Sequence, residues 1–448
     1  MSGKTWRGYW WLPLSPDDRA PGQLVIADDG GCRLELVGGL NVPVGAGDHV
    51  PVIIGEAEGK SVTLLDCFTI ARDGLGGRPN GYHDLHVHEA LIGAHVGDSE
   101  PAFRAAILSI ENLTTWLAVD SGINRSGDED AESATAHRPA TQTCTVDGWE
   151  ITARGLLQPF QVSAERSRVK ITSDISAYLV LTPPAPCTAR DFHRVVLELM
   201  DLVTLAAGEP SGQIELTLVH RDPIEHRDVD GTVFEVERRV DSLGARIHTA
   251  QADGQAQANW RFLFTCADRR FDELVPDWLA IRRRAPEACN VLFGLQYSRP
   301  TYTEVRLLLT AITAETLHSS LYGDDTELAH SVFEDIRSRV LSALTDEDEL
   351  RWVRQRLRNT PSFRERMVSL AALPDADAVN EVVPDVTQWA RRLRDARDNL
   401  AHTGNETTGD DIFRLERATT SLLALVLMAE LKLPAETQRR AARDVLRI

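Results

Sequence analysis

Cysteine is sparse and scattered in this 448-residue chain: Cys32, Cys67, Cys144, Cys187, Cys266 and Cys289 form no Cys-x2-Cys pair. That spacing excludes a zinc ribbon and argues against a disulfide scaffold. Long apolar runs are missing too. The longest uncharged apolar stretch, Leu422 to Ala429, falls far short of the roughly 20 residues that span a bilayer. Met1 to Pro13 shows no apolar segment followed by a small-residue cleavage site, so the expectation is a reduced, cytoplasmic protein with no membrane contact. Basic charge is in deficit, with 67 acids against 48 bases and a net charge of −19. Non-specific nucleic-acid affinity comes mostly from neutralised phosphates, so a general coat protein for nucleic acid is excluded, although a local basic cleft is not. The glycine-rich segment Asp73–Gly81 lacks the terminal Lys-Ser/Thr of a phosphate-binding loop, and it reads as a hairpin or long loop. No internal repeat or low-complexity tract is present.

What remains is ordinary globular composition, 43% hydrophobic and 26% charged, on a chain long enough for two or three domains. Two grammars divide it. Up to about residue 265 the pattern is of short strands and turns: Gln23–Ala27, Cys32–Val37, Ser61–Thr69, Gly148–Thr152, Val169–Thr172, Ala177–Leu181 and Gln213–Val219 are rich in Val, Ile, Leu and Thr. Asp28-Asp29-Gly30-Gly31, Gly38-Gly39 and Val146-Asp147-Gly148 punctuate them. Ala102–Ala118 and Arg190–Leu205 have helical spacing, and the acidic stretch Ser126–Thr143 reads as a mobile loop. After Phe271, apolar residues recur at i, i+3, i+4 and i+7 in Phe271–Arg284, Thr303–Leu321, Thr326–Leu344, Glu347–Arg358, Ser362–Leu370, Pro384–His402, Asp410–Leu431 and Glu436–Ile448. The expected fold is α+β multidomain, with a β-rich domain over residues 1–265 and an all-α bundle over 271–448.

Several clusters could carry chemistry. In His83, Asp84, His86, His88, Glu89 and His95, a strand over Leu85–Glu89 would project His86 and His88 on one face and pack Leu85 and Val87 on the other. Two imidazoles on one face suit zinc or manganese and would make a metallohydrolase. The competing reading is an exposed polar strand face, with His95 packed where the chain re-enters the core. Trp6, Tyr9, Trp10 and Trp11 could stack bases, or pack an N-terminal segment across a sheet. Six arginines lie between Arg351 and Arg366 against Glu365 alone, and Arg391, Arg392, Arg394 and Arg397 follow. Glu315 and His318 lie one turn apart on an otherwise apolar helix, where an acid needs a partner. Glu315 either pairs with a structural arginine or caps a helix, or it orients a catalytic group.

The most informative segment is Arg397-Asp398-Asn399-Leu400-Ala401-His402. Histidine moves protons near neutral pH, and arginine presents a permanently charged fork to phosphate oxygens. At about 100° per residue, positions 397 and 402 lie about 140° apart on a helix and do not share a face. Asn399 and Asp398 do share one with His402, at i,i+3 and i,i+4. Arg397 could reach round, the helix could loosen near Thr403-Gly404, or two copies of the helix could pool their residues. A dimer meets the geometry most easily.

Arg397 and His402 carry the Arg-x4-His signature of HEPN-type ribonucleases, and the wider pattern resembles ApeA-type anti-phage proteins. The resemblance rests on Gly8-Tyr9-Trp10-Trp11-Leu12-Pro13, Pro21-Gly22-Gln23-Leu24, Ala90-Leu91-Ile92-Gly93-Ala94-His95, Phe103 leading to Asn112-Leu113-Thr114-Thr115-Trp116, Glu315-Thr316-Leu317-His318 and Arg397–His402. These span nearly the whole chain. The resemblance implies an ApeA-like N-terminal domain and a HEPN ribonuclease domain that acts on infection without metal or cofactor. Arg397 would bind the scissile phosphate, His402 would act as general acid or base, Asn399 would add a hydrogen bond and Glu315 would support them. Arg394 and Asp398 are assigned to substrate contact. The implied partners are RNA (tRNA among the candidates), a second copy of the chain through the HEPN domain, and a phage-derived trigger on the N-terminal domain. A catalytically idle HEPN sensor or assembly module is the competing class.

Overall fold

The computed structural model describes residues 4–27, 30–41, 49–72, 81–117, 123–127, 132–164, 166–228, 230–244, 258–298, 302–323, 326–402 and 409–447. They fall into two compact units, one within Met1–Asn259 and Thr265–Pro276, the other within Trp260–Phe264 and Asp277–Ile448.

The first unit is built on alternating strands. β1 (Lys4–Trp11), β2 (Ala20–Ile26), β3 (Cys32–Val37), β4 (His49–Ala57), β5 (Lys60–Arg72) and β6 (Tyr82–Ile92) pair antiparallel in the order β6-β3-β2-β1-β4-β5. β5 also pairs with β6, from Val62 opposite Ile92 to Arg72 opposite His83, and so closes the sheet into a barrel. Closure leaves no strand edge between first and last. Trp10, Leu24, Leu34, Ile53, Leu64 and Leu85 fill its core and are fully buried. The aromatic segment is thus a barrel strand, with Trp10 inside and Tyr9 exposed. Two glycines make room for it. A Cβ on Gly55 would lie 2.2 Å from the Trp10 ring, and one on Gly8 would lie 2.0 Å from the Glu56 carbonyl oxygen. Gly8→Ala is therefore expected to force β1 from β4 and to cost about 1–3 kcal/mol, read as a lowered denaturant midpoint.

The remaining strands are β7 (Phe103–Ile110), the hairpin β8 (Ile123–Gly127) and β9 (Glu132–Ala136), then β10 (Gln142–Val146) and β11 (Trp149–Leu157). The hairpin β12 (Gln161–Ala164) and β13 (Val169–Thr172), β14 (Ile175–Thr182), β15 (Gln213–His220), the hairpin β16 (Ile224–Arg227) and β17 (Val233–Val236), and β18 (Arg239–Gly244) complete the set. Tyr82–Val87 of β6 pairs with β3, while Glu89–Ile92 pairs with β18, which starts a second run β18-β15-β7-β14-β11-β10. Helix α1 (Leu113–Trp116) is one turn, and α2 (Ala189–Ala207) packs on β7. Thr188 and Asp191 form a capping box at the start of α2, and Gly208, with φ of 70°, ends it.

Three expectations are corrected. Ala102–Ala118 is mostly strand β7, because Ala106, Leu108 and Ile110 bury alternate positions between β14 and β15, and only Leu113–Trp116 is helical. Period two wins here because one face of this central strand is buried, while Ser109 stands on the other. Within Ser126–Thr143, residues 132–136 pair with β8, and Gln142 and Thr143 open β10, so backbone pairing orders what its polar composition suggested was loop. His95 is exposed rather than packed, yet its Nε2 lies 2.9 Å from the Gly55 carbonyl and its ring meets Trp11 edge-on. The glycine-rich residues 73–80 lie outside the described residues.

The second unit is helical: α3 (Phe271–Arg284), whose first turns to Pro276 belong to the first unit, then α4 (Pro286–Tyr297), α5 (Thr303–Tyr322), α6 (His330–Ser342), α7 (Glu347–Arg356), α8 (Phe363–Ala371), α9 (Ala376–Val382), α10 (Val386–His402), α11 (Gly409–Glu430) and α12 (Ala435–Ala441). The apolar run in α11 buries Leu422, Leu423, Leu425, Val426, Leu427 and Met428, so this helix lies at the centre, against α5, α9 and α10. Polar ties set its rotation. Arg306 on α5 bonds Glu416, whose side chain is 3% exposed, at 3.1 Å, and Trp389 Nε1 on α10 donates to Thr419 at 3.1 Å. α5, α8 and α10 pack on one another beside it. α6 and α7 bury no residue. No helix among the described residues is long and apolar enough to cross a membrane.

Candidate active site

Three helices of the bundle converge on Glu315. It sits on α5, half-buried, one residue from Ala314 and two from Leu317 on the packed face. α8 starts at the Ser362–Glu365 capping box, which fixes the turn that carries Phe363 and Arg366. α10 brings Arg397, whose neighbour Ala396 packs inward. Arg397 Nη2 donates to Glu315 Oε2 at 2.9 Å, and Arg366 Nη1 donates to Oε1 at 3.3 Å. The guanidinium of Arg397 also stands 4.9 Å from the centre of the Phe363 ring. One carboxylate thus bridges two cations at half-buried side chains. Arginine has five N–H donors. Besides Glu315 and the Phe363 ring, the partner of Arg397 among the described residues is Asp398, at 3.9 Å.

The sequence offered three readings of Glu315: a structural arginine pair, a cap on a neighbouring helix, or support for a catalytic group. Its two oxygens serve the first and the third, one each: Arg366 is the packing arginine and Arg397 the candidate phosphate ligand. Arg366 and Phe363 escaped sequence reading. The run Arg351–Arg366 contained the right arginine, but nothing in the run set Arg366 apart from the other five. His318, one turn after Glu315, is buried and stacks on Tyr322 at 4.6 Å, and Tyr322 donates its hydroxyl to the Ser369 carbonyl. It belongs to the α5–α8 packing.

The other candidates spread along α10. Arg394 is exposed and donates to its neighbour Asp395 at 2.5 and 2.9 Å, away from Glu315. Asp398 and Asn399 are exposed. α10 remains helical through His402, so any loosening would have to come after it, and residues 403–408 lie outside the described residues. The side chain of His402 also lies outside them. In the first unit, His86 and His88 are exposed on the outward face of β6, while Leu85 and Val87 are fully buried, as their alternation predicts. Among the described residues no group of three or more His, Cys, Asp or Glu is placed to hold a metal ion.

Comparison with known families gives a match over most of the chain. Residues 5–278 match ApeA N-terminal domain 1, and residues 308–437 match Apea-like HEPN. The second match contains α8, α10, Glu315, Arg366 and the whole Arg397–His402 segment. No curated protein and no solved structure shows a significant match. A β-rich unit covered by one domain and a helical unit carrying the other, in that order, make this chain a member of the ApeA family of anti-phage defence proteins, with a C-terminal HEPN module.

Proposed function

We propose that the protein is a metal-independent endoribonuclease that cleaves RNA on phage infection and so halts the infected host cell. The observation that carries this reading is the Arg397 guanidinium, held by Glu315 and Phe363 with donors to spare, on the helix that ends in His402. Arg397 binds the non-bridging oxygens of the scissile phosphate and offsets charge that builds there. His402 takes the proton from the 2′-hydroxyl, or gives one to the departing 5′-oxygen. The 2′-oxygen bonds to phosphorus as the bond to the 5′-oxygen breaks, which leaves a 2′,3′-cyclic phosphate and a 5′-hydroxyl. Asn399 and Asp398, on the face of α10 that includes His402, hydrogen-bond substrate or histidine.

An unbroken α10 keeps Arg397 and His402 about 140° apart. This supports a symmetric homodimer in which the arginine of one copy meets the histidine of the other. Mixing the two inactive proteins, Arg397→Ala and His402→Ala, tests it. A shared site regains cleavage in the mixture, because one of the two sites in each mixed dimer is intact. A mixture as inactive as its parts rules out the shared site.

RNA is drawn in by the basic segment before α8. Trp352 on α7 is 56% exposed, and the Arg356 guanidinium stacks on it at 4.3 Å. Arg354 and Arg358 have no acidic partner among the described residues. An exposed indole among arginines is a stacking platform for unpaired bases, worth about 1–3 kcal/mol per base. Trp352→Ala is expected to weaken binding of single-stranded RNA by about 5–160-fold and leave salt dependence unchanged. Arg354→Ala with Arg358→Ala should flatten the salt dependence. Filter binding over a salt series reads both.

We further propose that the β-rich unit senses a phage-derived trigger, since an unrestrained ribonuclease would poison its host. A ligand can act this way only by binding two arrangements of the chain with different affinity.

A further inference from the structure

In the β-rich unit, α2 meets β5, β6 and β18 around a cavity of about 550 Å³. That is within the usual range for sites that enclose a drug-sized molecule. Leu65, Val196, Met200 and Leu243 make much of its wall apolar. Asp66 and Asp98 also line the cavity, and into its apolar wall the fold sets a third carboxylate, Glu89. Glu89 stands directly before Ala90, Leu91 and Ile92, all buried, where β6 turns from partner β3 to partner β18.

Glu89 Oε1 receives two hydrogen bonds, from His193 Nε2 at 2.6 Å and from Ser242 Oγ at 2.7 Å. Oε2 receives none among the described residues. Burial works against the charge on Glu89, but attraction to His193 and the bonds from His193 and Ser242 outweigh it and hold the carboxyl below its usual range. His193 is raised against the same burial by the charge and hydrogen bond of Glu89. Each partner thus favours its charged form in the other's presence, across a short 2.6 Å hydrogen bond. Glu89 is buried while His193 is only partly so, and packing alone gives no reason for a carboxylate at this place in the wall. An ion pair with one acceptor left open, at the wall of an apolar cavity, is instead the form of a ligand site.

The chemistry of the occupant follows. His193 already balances the Glu89 charge, so Oε2 calls for a neutral N–H donor rather than an ammonium. The apolar wall takes the faces of a flat ring. At the N-terminal turn of α2, exposed Arg190 pairs with Asp66 at 3.2 Å. Arg194, one turn on, lines the same cavity and has no acidic partner among the described residues. We infer that the cavity binds a nucleoside or nucleoside monophosphate, its base N–H edge on Glu89 and its sugar or phosphate end at Arg190 and Arg194. That occupancy switches the nuclease is a deepening of this proposal, and it rests on the sensing reading above.

Titration calorimetry on the full chain, with guanosine, adenosine, cytidine, uridine, thymidine and their 5′-monophosphates, tests the site. At least one is expected to bind once per chain. Glu89→Gln should weaken it about tenfold or more, because Oε2 loses its charge. Leu197→Trp, at a half-buried wall position, should abolish binding by filling the cavity, with thermal melts showing that both variants fold. Binding by none of the ten compounds, or binding that ignores both folded variants, overturns the assignment. Adding the bound compound to an RNA-cleavage assay separates the two claims. Unchanged cleavage with the site occupied keeps the ligand site and defeats its role as the trigger.

Discussion

Arg397→Ala and His402→Ala are each expected to remove RNA cleavage and phage protection while the protein stays folded. The two residues work on the same transition state, so neither alone should retain much. Losing a general acid or base costs typically about 10²–10⁴-fold, and losing a charged ligand of the developing oxyanion costs about 10²–10³-fold. Folding should survive in both cases. Arg397 is half-exposed and makes one direct bond to Glu315, whose other oxygen keeps Arg366. Far-ultraviolet circular dichroism and the thermal midpoint separate lost chemistry from lost structure. Full protection by either folded variant would falsify the ribonuclease reading, and an unfolded variant is replaced by Arg397→Lys, which keeps the charge but loses the two-pronged fork.

Glu315→Ala should produce the next largest effect, by a different route. Without the carboxylate, Arg366 and Arg397 face each other with no anion between them, and among the described residues Arg397 keeps the Phe363 ring and the longer contact to Asp398. Displacing a positioning contact by about 1 Å can cost on the order of 10²-fold in rate. Losing hydrogen bonds to charged groups should lower stability by about 1.5–3 kcal/mol. Glu315→Gln keeps an acceptor for one arginine but not the charge, and should fall between wild type and Glu315→Ala in both rate and stability. Because Glu315 acts through Arg397, adding Glu315→Ala to Arg397→Ala should cost stability but little further rate. An additional loss of 10²-fold in the double variant would mean that Glu315 touches the substrate itself.

The helical half was readable because its periodicity is strong and local. Phe271–Arg284 was located from apolar spacing alone, and so was the helix that carries Arg397. α4 and α9 were not. α9 has seven residues, too few to display a period, and α4 combines Cys289, Leu292, Phe293 and Tyr297 with few polar residues to mark an outer face. In the β half, local pattern found strands but not their partners. Closure depends on Val62–Arg72 finding His83–Ile92, and the second run on Arg239–Gly244 reaching back to β6, pairings that no local signal encodes. The same limit separates the two candidate sites. Arg397 and His402 lie five positions apart and could be read directly. Glu89, His193 and Ser242 come from three distant elements; Glu89 stood out only as part of the histidine cluster around it, and nothing in the sequence tied it to His193 or Ser242 until the fold joined them.

The central claim is that this chain cuts RNA through Arg397 and His402, and the ends of the RNA in infected cells test it most directly. Sequencing that captures 2′,3′-cyclic phosphate ends should be run on phage-infected cells expressing wild type or His402→Ala. New cyclic-phosphate ends at discrete sites, appearing after infection with wild type and absent with His402→Ala, are the predicted result. Intact RNA during effective protection, or the same new ends with His402→Ala, would contradict it.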